Sequence, residues 1–251
     1  MDIKAEWIKN FYSGLPRDRI KLETFGHGFD FLEKMSADGM ALDYGELVLC
    51  KDLHKYKFSN VPEHGFDDML LSHVHKQSNV CLYFHENANS LFAFNLDKDH
   101  KFDDAPDIPE LTVAVNLLRG ILSSLGCEPM VIASGKGYHI WCRLGSPERN
   151  DHLYDFMVRT MAKALHQLHI RGLDHARIFT RFYPDPRTVN KISLRIFGSC
   201  HMSSGLFSGI LAENGLLGEE TSWRAFEEHL KRKTIDEPVF QAAYKSITAS
   251  S

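Results

Sequence analysis

Between residues 80 and 169 the chain alternates short β-branched and aromatic runs with two longer stretches of helical spacing. No all-α or all-β fold absorbs both periods. "VCLYFHE" (80–86) and "LFAFNLD" (91–97) are strand-like and are separated by the turn-forming "NANS", which predicts a hairpin. "DIPELTVAVNLLRGILSSLG" then places Leu111, Val115, Leu118 and Leu122 at helical spacing and ends on Gly126, a C-cap residue. "EPMVIAS" and "YHIWCRL" predict a second hairpin around Gly135, Lys136 and Gly137. Residues 151–169 return to the helical period, with Asp151 as the expected N-cap. Strand pairs alternating with single helices predict an α+β (mixed α/β) class, not an all-parallel doubly wound sheet.

The flanks are less regular. "IKAEWIKNFY" (3–12) predicts a short amphipathic helix ending near Gly14 and Pro16, while residues 17–78 read as short strands and helices without firm boundaries. "KISLRIFGS" and "GLFSGILA" predict another strand pair, and "SWRAFEEHLKRK" and "VFQAAYKSI" two closing helices. No repeat, low-complexity tract or linker interrupts the chain.

Composition sets outer bounds. A length of 251 residues holds one large domain or two lobes. No apolar run reaches the roughly 18 residues of a membrane span, and the acid-containing N-terminus lacks the apolar core of a secretory signal. Five widely spaced cysteines give no disulfide framework, so the expected location is intracellular: the cytoplasm of a microbe or of a virus-infected cell, or a nucleus. The net charge of −4 argues against a protein that coats polyanions, yet residues 171–195 carry six bases against two acids, a local +4 that suits an anionic ligand.

Three polar constellations interrupt the apolar pattern. In "FNLDKDH", Asp97 and Asp99 stand two apart at a strand end, so their carboxylates share one side, an arrangement that suits a hard divalent cation such as Mg²⁺ or Mn²⁺. Asp103, Asp104 and Asp107 follow closely with no strand to aim them. In "SGKGYHIW", two glycines permit a tight turn whose backbone N–H groups suit phosphate oxygens, with Ser134, Lys136 and His139 beside them. A Walker-type phosphate loop is absent. In "PDPRTVNKISLRIFGSCHMSSG", Asp185 precedes Lys191, Ser193 and Arg195, which alternate with Ile192, Leu194 and Ile196 along one strand, and His201 follows. Plain readings stand beside each: a solvated strand end, an ordinary hairpin with a histidine, a solvated basic face.

Taken in this order, the three stretches resemble the archaeo-eukaryotic primase superfamily, the catalytic primase subunits and primase-polymerases. The match covers about residues 79–212, and "SGKGYHIW" is its most specific part. The resemblance implies one primase-like catalytic domain over residues 1–251 with two lobes, an N-terminal α/β module and a module like an RNA-recognition motif, and an active site in the cleft between them. It implies that Asp97, Asp99 and Asp185 ligate two Mg²⁺ or Mn²⁺ ions, with Asp174 a rival for the third place. Ser134 and His139, joined by Arg195 and His201 and more loosely by Lys136 and Lys191, would bind the incoming nucleotide's phosphates. The family's acidic motif usually begins with a more acidic or hydrophobic "F/V-D-I-D" shape, and here Asn95 precedes "LDKD". The paired C-x2-C units of a primase zinc knob are missing; His73, His75, Cys81 and His85 form the only cluster a zinc ion could use, and a structural zinc is not expected.

The implied reaction is template-directed nucleotidyl transfer that makes short primers on single-stranded DNA from NTPs or dNTPs, with a helicase or a large primase subunit as further partner and no membrane. Arg177 and Arg181, interleaved with Phe179, Phe182 and Tyr183, are the candidates for template contact by charge and base stacking. Two rivals remain: a catalytically silent nucleotide- or nucleic-acid-binding module of a replication assembly, and a metal-dependent phosphodiesterase that needs the acids but no triphosphate clamp.

Overall fold

A computed structural model of the chain describes residues 2–25, 41–44, 53–99, 109–189, 191–201 and 205–249. They fall into two compact units. The first combines Met1–His85, Val189–Gly209 and Leu217–Lys231; the second combines Glu86–Thr188, Ile210–Leu216 and Arg232–Ser251. Among the described residues no helix is long and apolar enough to cross a membrane.

The first unit is built on a five-stranded antiparallel sheet. Its strands are β1 (Ile20–Phe25), β2 (Ala41–Tyr44), β3 (Leu53–Ser59), β4 (Ser78–Leu82) and β9 (Leu194–Arg195), in the order β2-β3-β1-β4-β9. Helix α1 (Ile3–Phe11) starts where the Asp2 carboxylate accepts from the Lys4 N–H at 2.7 Å, and it buries Ala5, Ile8 and Phe11 on one stripe. Helix α2 (Glu63–Val74) buries Phe66, Met69, Leu70 and His73, and α5 (Glu219–Lys231) buries Trp223 and Phe226. Phe197 stacks on Phe226 at 4.4 Å between ring centres and meets Trp223 edge-on at 4.7 Å. Gly198 lies beside them at φ +90°, where an added Cβ would crowd Trp223 and His73.

His73 ties this core together. Its Nδ1 accepts from the Val80 N–H at 3.2 Å and its Nε2 donates to the Phe197 carbonyl at 2.8 Å, so the ring is neutral. Burial pushes its pKa down to about 4. Cys81 is buried and its thiol is pushed up to about 12, also by burial. Both residues serve packing.

The second unit runs β5 (Ala88–Lys98), α3 (Pro109–Ser124), β6 (Met130–Ala133), β7 (Gly137–Arg149), α4 (Asn150–Ile170) and β8 (Ile178–Tyr183). The sheet order β6-β7-β5-β8, antiparallel throughout, makes this a βαββαβ split arrangement, the topology expected of an RNA-recognition-type module. One face packs Phe92, Phe94, Leu96, Ile140 and Cys142 against Val115, Leu118, Phe156 and Met157 of the helices, joined by Phe240 of α6 (Glu237–Ala249). Short strands β10 (Leu211–Ala212) and β11 (Gly215–Leu216) form a two-residue hairpin ladder.

Several expectations hold and several do not. The helix at 109–124 ends as predicted: Gly126 has φ +79°, its N–H reaches Ser123, and the Cys127 N–H reaches back to Leu122 at 2.9 Å, a Schellman closure. The hairpin around residues 135–137 forms, with Ala133 opposite Tyr138. The hairpin predicted from residues 80–97 does not: β4 pairs with β1 and β9, whereas β5 pairs with β7 and β8. Asp151 is not the N-cap of α4. Arg149 holds that position without a side-chain cap and donates instead to the Asp151 carboxylate. The predicted strand over 191–199 shrinks to Leu194–Arg195, paired with β4, and it meets 205–212 through a bridge between Cys200 and Phe207, flanked by bonds from the Ser208 N–H to the Ser199 carbonyl and from the His201 N–H to the Leu206 carbonyl.

Candidate active site

In the second unit, the face of the sheet opposite the helices carries the acid motif. Asn95 and Asp97 are two apart on β5, with His139 and Arg181 opposite Asn95, and Gly137 and Phe179 opposite Asp97. Ser134 closes the β6–β7 turn by donating its N–H to the Gly137 carbonyl at 2.8 Å, and its hydroxyl lies 3.5 Å from Asp97 Oδ1. The Asn95 amide donates to Asp97 Oδ2 at 2.9 Å. Ser134, His139 and Asn95 are buried, while Lys136 is exposed at the tip of the turn. Gly137 is required here: a Cβ would lie 1.9 Å from the Leu96 carbonyl and 2.7 Å from Asp97 Oδ1. Asp99 follows the strand end, anchored by its N–H to the Arg177 carbonyl at 3.0 Å. Two of the three sequence motifs are thus brought to one end of one sheet.

Asp185 is not brought there. β8 runs antiparallel to β5, with Phe179 opposite Asp97 and Tyr183 opposite Ala93, and Asp185 comes after Tyr183. The four residue steps from Ala93 to Asp97 alone span about 13 Å. The Asp185 carboxylate is also engaged, accepting from the Arg187 N–H at 2.9 Å and from its guanidinium at 2.9 and 2.8 Å, which holds its pKa below the ordinary carboxylate value. Asp174 lies just before the other end of β8, where its side chain caps the Ala176 N–H at 2.9 Å. Among the described residues no three His, Cys, Asp or Glu side chains gather to hold a metal. Asp103, Asp104 and Asp107 lie outside the described residues.

The basic stretch is partly consumed by ion pairs. Arg177 pairs with Glu110 at 3.3 Å and Arg187 with Asp185 at 2.8 Å, whereas Arg171, Arg181 and Lys191 are exposed. Arg181 lies over the Phe179 ring at 4.9 Å. Phe182 faces the other way, edge-on to Phe94 and Tyr154, and Tyr183 is 5% exposed, so neither offers a ring face to a base.

In the first unit, Arg195 belongs to a charge cluster that the sequence did not reveal. Glu23, 4% exposed on β1, meets Lys21 at 2.9 Å, Arg195 at 3.6 Å and Lys55 at 3.9 Å. Burial pushes the Glu23 carboxyl up, but Lys21, Arg195 and Lys55 outweigh it and leave its pKa below the ordinary value. Glu23 Oε2 and one Arg195 terminal nitrogen are buried without a hydrogen-bond partner among the described residues. Three cations around one acid leave an excess of two positive charges within this cluster, suited to an anion. The alternation in "RIKLETF" was the available signal: Lys21 and Glu23 share a face opposite to Ile20 and Leu22. Lys191 is exposed and His201 half-buried, its N–H bonded to the Leu206 carbonyl at 2.7 Å.

The donor set at Asp97 suits a hard divalent cation. Two carboxylates share one sheet end, the hydrogen bonds to Asp97 come from neutral groups, and the glycine opposite leaves the carboxylate uncrowded.

No protein-family model matches the sequence, and no curated protein matches it. Among solved structures, the chain is similar to the polymerase domain of Ligase D from Mycobacterium tuberculosis in complex with DNA, with TM-score 0.46, 10% identity, and coverage of 98% of this chain and 87% of that one. It is also similar to the AEP domain of the cyanophage S-2L primase-polymerase, with TM-score 0.37, 14% identity, and coverage of 88% and 96%. At these identities neither likeness transfers a residue's role to this chain.

Proposed function

We propose that the protein is a metal-dependent nucleotidyltransferase that joins nucleotides on a single-stranded DNA template. The observation that carries this reading is the sheet end where Asp97 meets Ser134 and the uncrowded Gly137, with Asp99 next to it on the chain and His139 on the neighbouring strand. Asp97 and Asp99 would hold Mg²⁺ or Mn²⁺. A cation there supplies neutralisation of the triphosphate and a lower pKa for the attacking hydroxyl. Asp185, committed to Arg187, is left out of this set. Ser134 and His139 donate to phosphate oxygens, with Lys136 adding charge. Within the first unit, Arg195, Lys21 and Lys55 form a separate cationic cluster that suits phosphate, and Lys191 and His201 belong to the same unit. Phe179 and Arg181 offer the template a ring and a charge.

Incorporation of labelled ATP and dATP on an unprimed single-stranded DNA template, with Mg²⁺ and Mn²⁺ in parallel, tests the proposal. Products are expected from the wild-type protein. With Asp97→Ala they should fall by at least roughly a thousandfold, the several kcal/mol a metal supplies. Full activity of Asp97→Ala would remove the metal assignment. No product with or without a supplied primer would favour the silent binding module.

A further inference from the structure

Asp97 is held by a neighbour whose own hydrogen-bonding capacity is left half used. Asn95 and Asp97 leave the same face of β5. The Asn95 amide N–H donates to Asp97 Oδ2, the only sense available, because an ionised carboxylate accepts and never donates. Asn95 is 7% exposed, yet its Oδ1 is buried with no hydrogen-bond partner among the described residues. A mid-strand position favours a β-branched or apolar side chain, and an orphaned buried acceptor opposes folding, so both terms disfavour asparagine here. The contact with Asp97 is what this residue gives in return. It is also the firmer of the two holds, since the Ser134 hydroxyl stands at 3.5 Å.

We infer that Asn95 is a positioning residue for the metal-holding carboxylate: its amide holds Oδ2 and so fixes the Asp97 rotamer. This rests on the proposed metal site. Groups that orient a metal ligand from behind typically govern about 10- to 100-fold in metal affinity. Here the same group is predicted to lower stability, a pairing expected where a local rule of folding is broken for function.

The test is a titration of the full-length protein with Mn²⁺ alone, followed by the electron paramagnetic resonance signal of free Mn²⁺, beside thermal unfolding without metal. Asn95→Leu removes donor and orphaned acceptor together. It should weaken Mn²⁺ binding roughly tenfold while the melting temperature holds or rises. Asn95→Val, which strand geometry accommodates readily, repeats the comparison if leucine proves too large. Unchanged Mn²⁺ affinity in both variants overturns the inference, and so does a fall in melting temperature that accompanies the loss of affinity, which would make Asn95 merely structural. Asp97→Ala separates the two levels. If it binds Mn²⁺ as the wild type does, the metal site itself is wrong; if it abolishes binding while Asn95→Leu changes nothing, only the role of Asn95 fails.

Discussion

Two carboxylates, Glu23 in the first unit and Asp97 in the second, are treated in opposite ways by their surroundings. Glu23 is buried among three cations and carries an excess of positive charge around it. Asp97 is only partly buried, stands two residues from a second acid, and is hydrogen-bonded by a neutral amide and, at long range, a neutral hydroxyl. An acid compensated by the protein is fixed in place and makes its cations available to an anion. An acid compensated only by neutral donors keeps its charge for a cation that the protein does not supply. The contrast matches the proposal of a phosphate-facing cluster in the first unit and a metal-facing one in the second.

Removing each acid should break this comparison most sharply. Asp97→Ala is expected to abolish incorporation while changing unfolding free energy by no more than about 1 kcal/mol, because no buried ion pair is lost. Glu23→Leu leaves three cations facing one another and should cost about 3 to 5 kcal/mol in a urea titration. Equal stability losses for the two variants would erase the distinction. Acid should then act on the first unit through His73. Its unfolded imidazole protonates near pH 6.5 and its buried form only near pH 4, so its contribution is complete above about pH 6.5 and is lost as pH falls through that window. The loss amounts to about 3 kcal/mol over about two and a half pH units. A His73→Gln variant should flatten this slope, and an unchanged slope would assign the acid sensitivity elsewhere. The smallest effect is expected from Arg195→Ala, which leaves Glu23 bonded to Lys21 but removes a cation from the proposed phosphate site. The KM for nucleotide should rise about three- to tenfold, roughly 1 kcal/mol, and an unchanged KM would confine Arg195 to a structural pairing.

What was legible in the chain follows from the range of the physical signal. The helix ending at Gly126, the turn between Ser134 and Gly137 and the polar pair Asp97–Asp99 are written in a few consecutive residues, and each was recoverable. The hairpin expected from residues 80–97 was misread because "NANS" looks like a turn whatever partners the flanking strands take. Phe182 was read as a base-stacking candidate from its neighbours Arg181 and Tyr183, but strand alternation puts it on the helix-covered face beside Phe94. Asp185 shows the same limit. Arg187, two residues on, takes its carboxylate, and the antiparallel register of β8 carries it away from Asp97.

The sequence by itself determined the mixed class, the strand and helix periods, the glycines that the turns demand and the acidic pair Asp97–Asp99. Each of these depends on backbone preference or on side-chain spacing within one element. Only the tertiary structure decided which strands pair, that Glu23 meets Lys55 and Arg195, and that Asp97 is backed by Asn95 and Ser134 while Asp185 is not part of its surroundings. Pairing and register are chosen by apolar burial between segments far apart in the chain, and no local pattern encodes that choice.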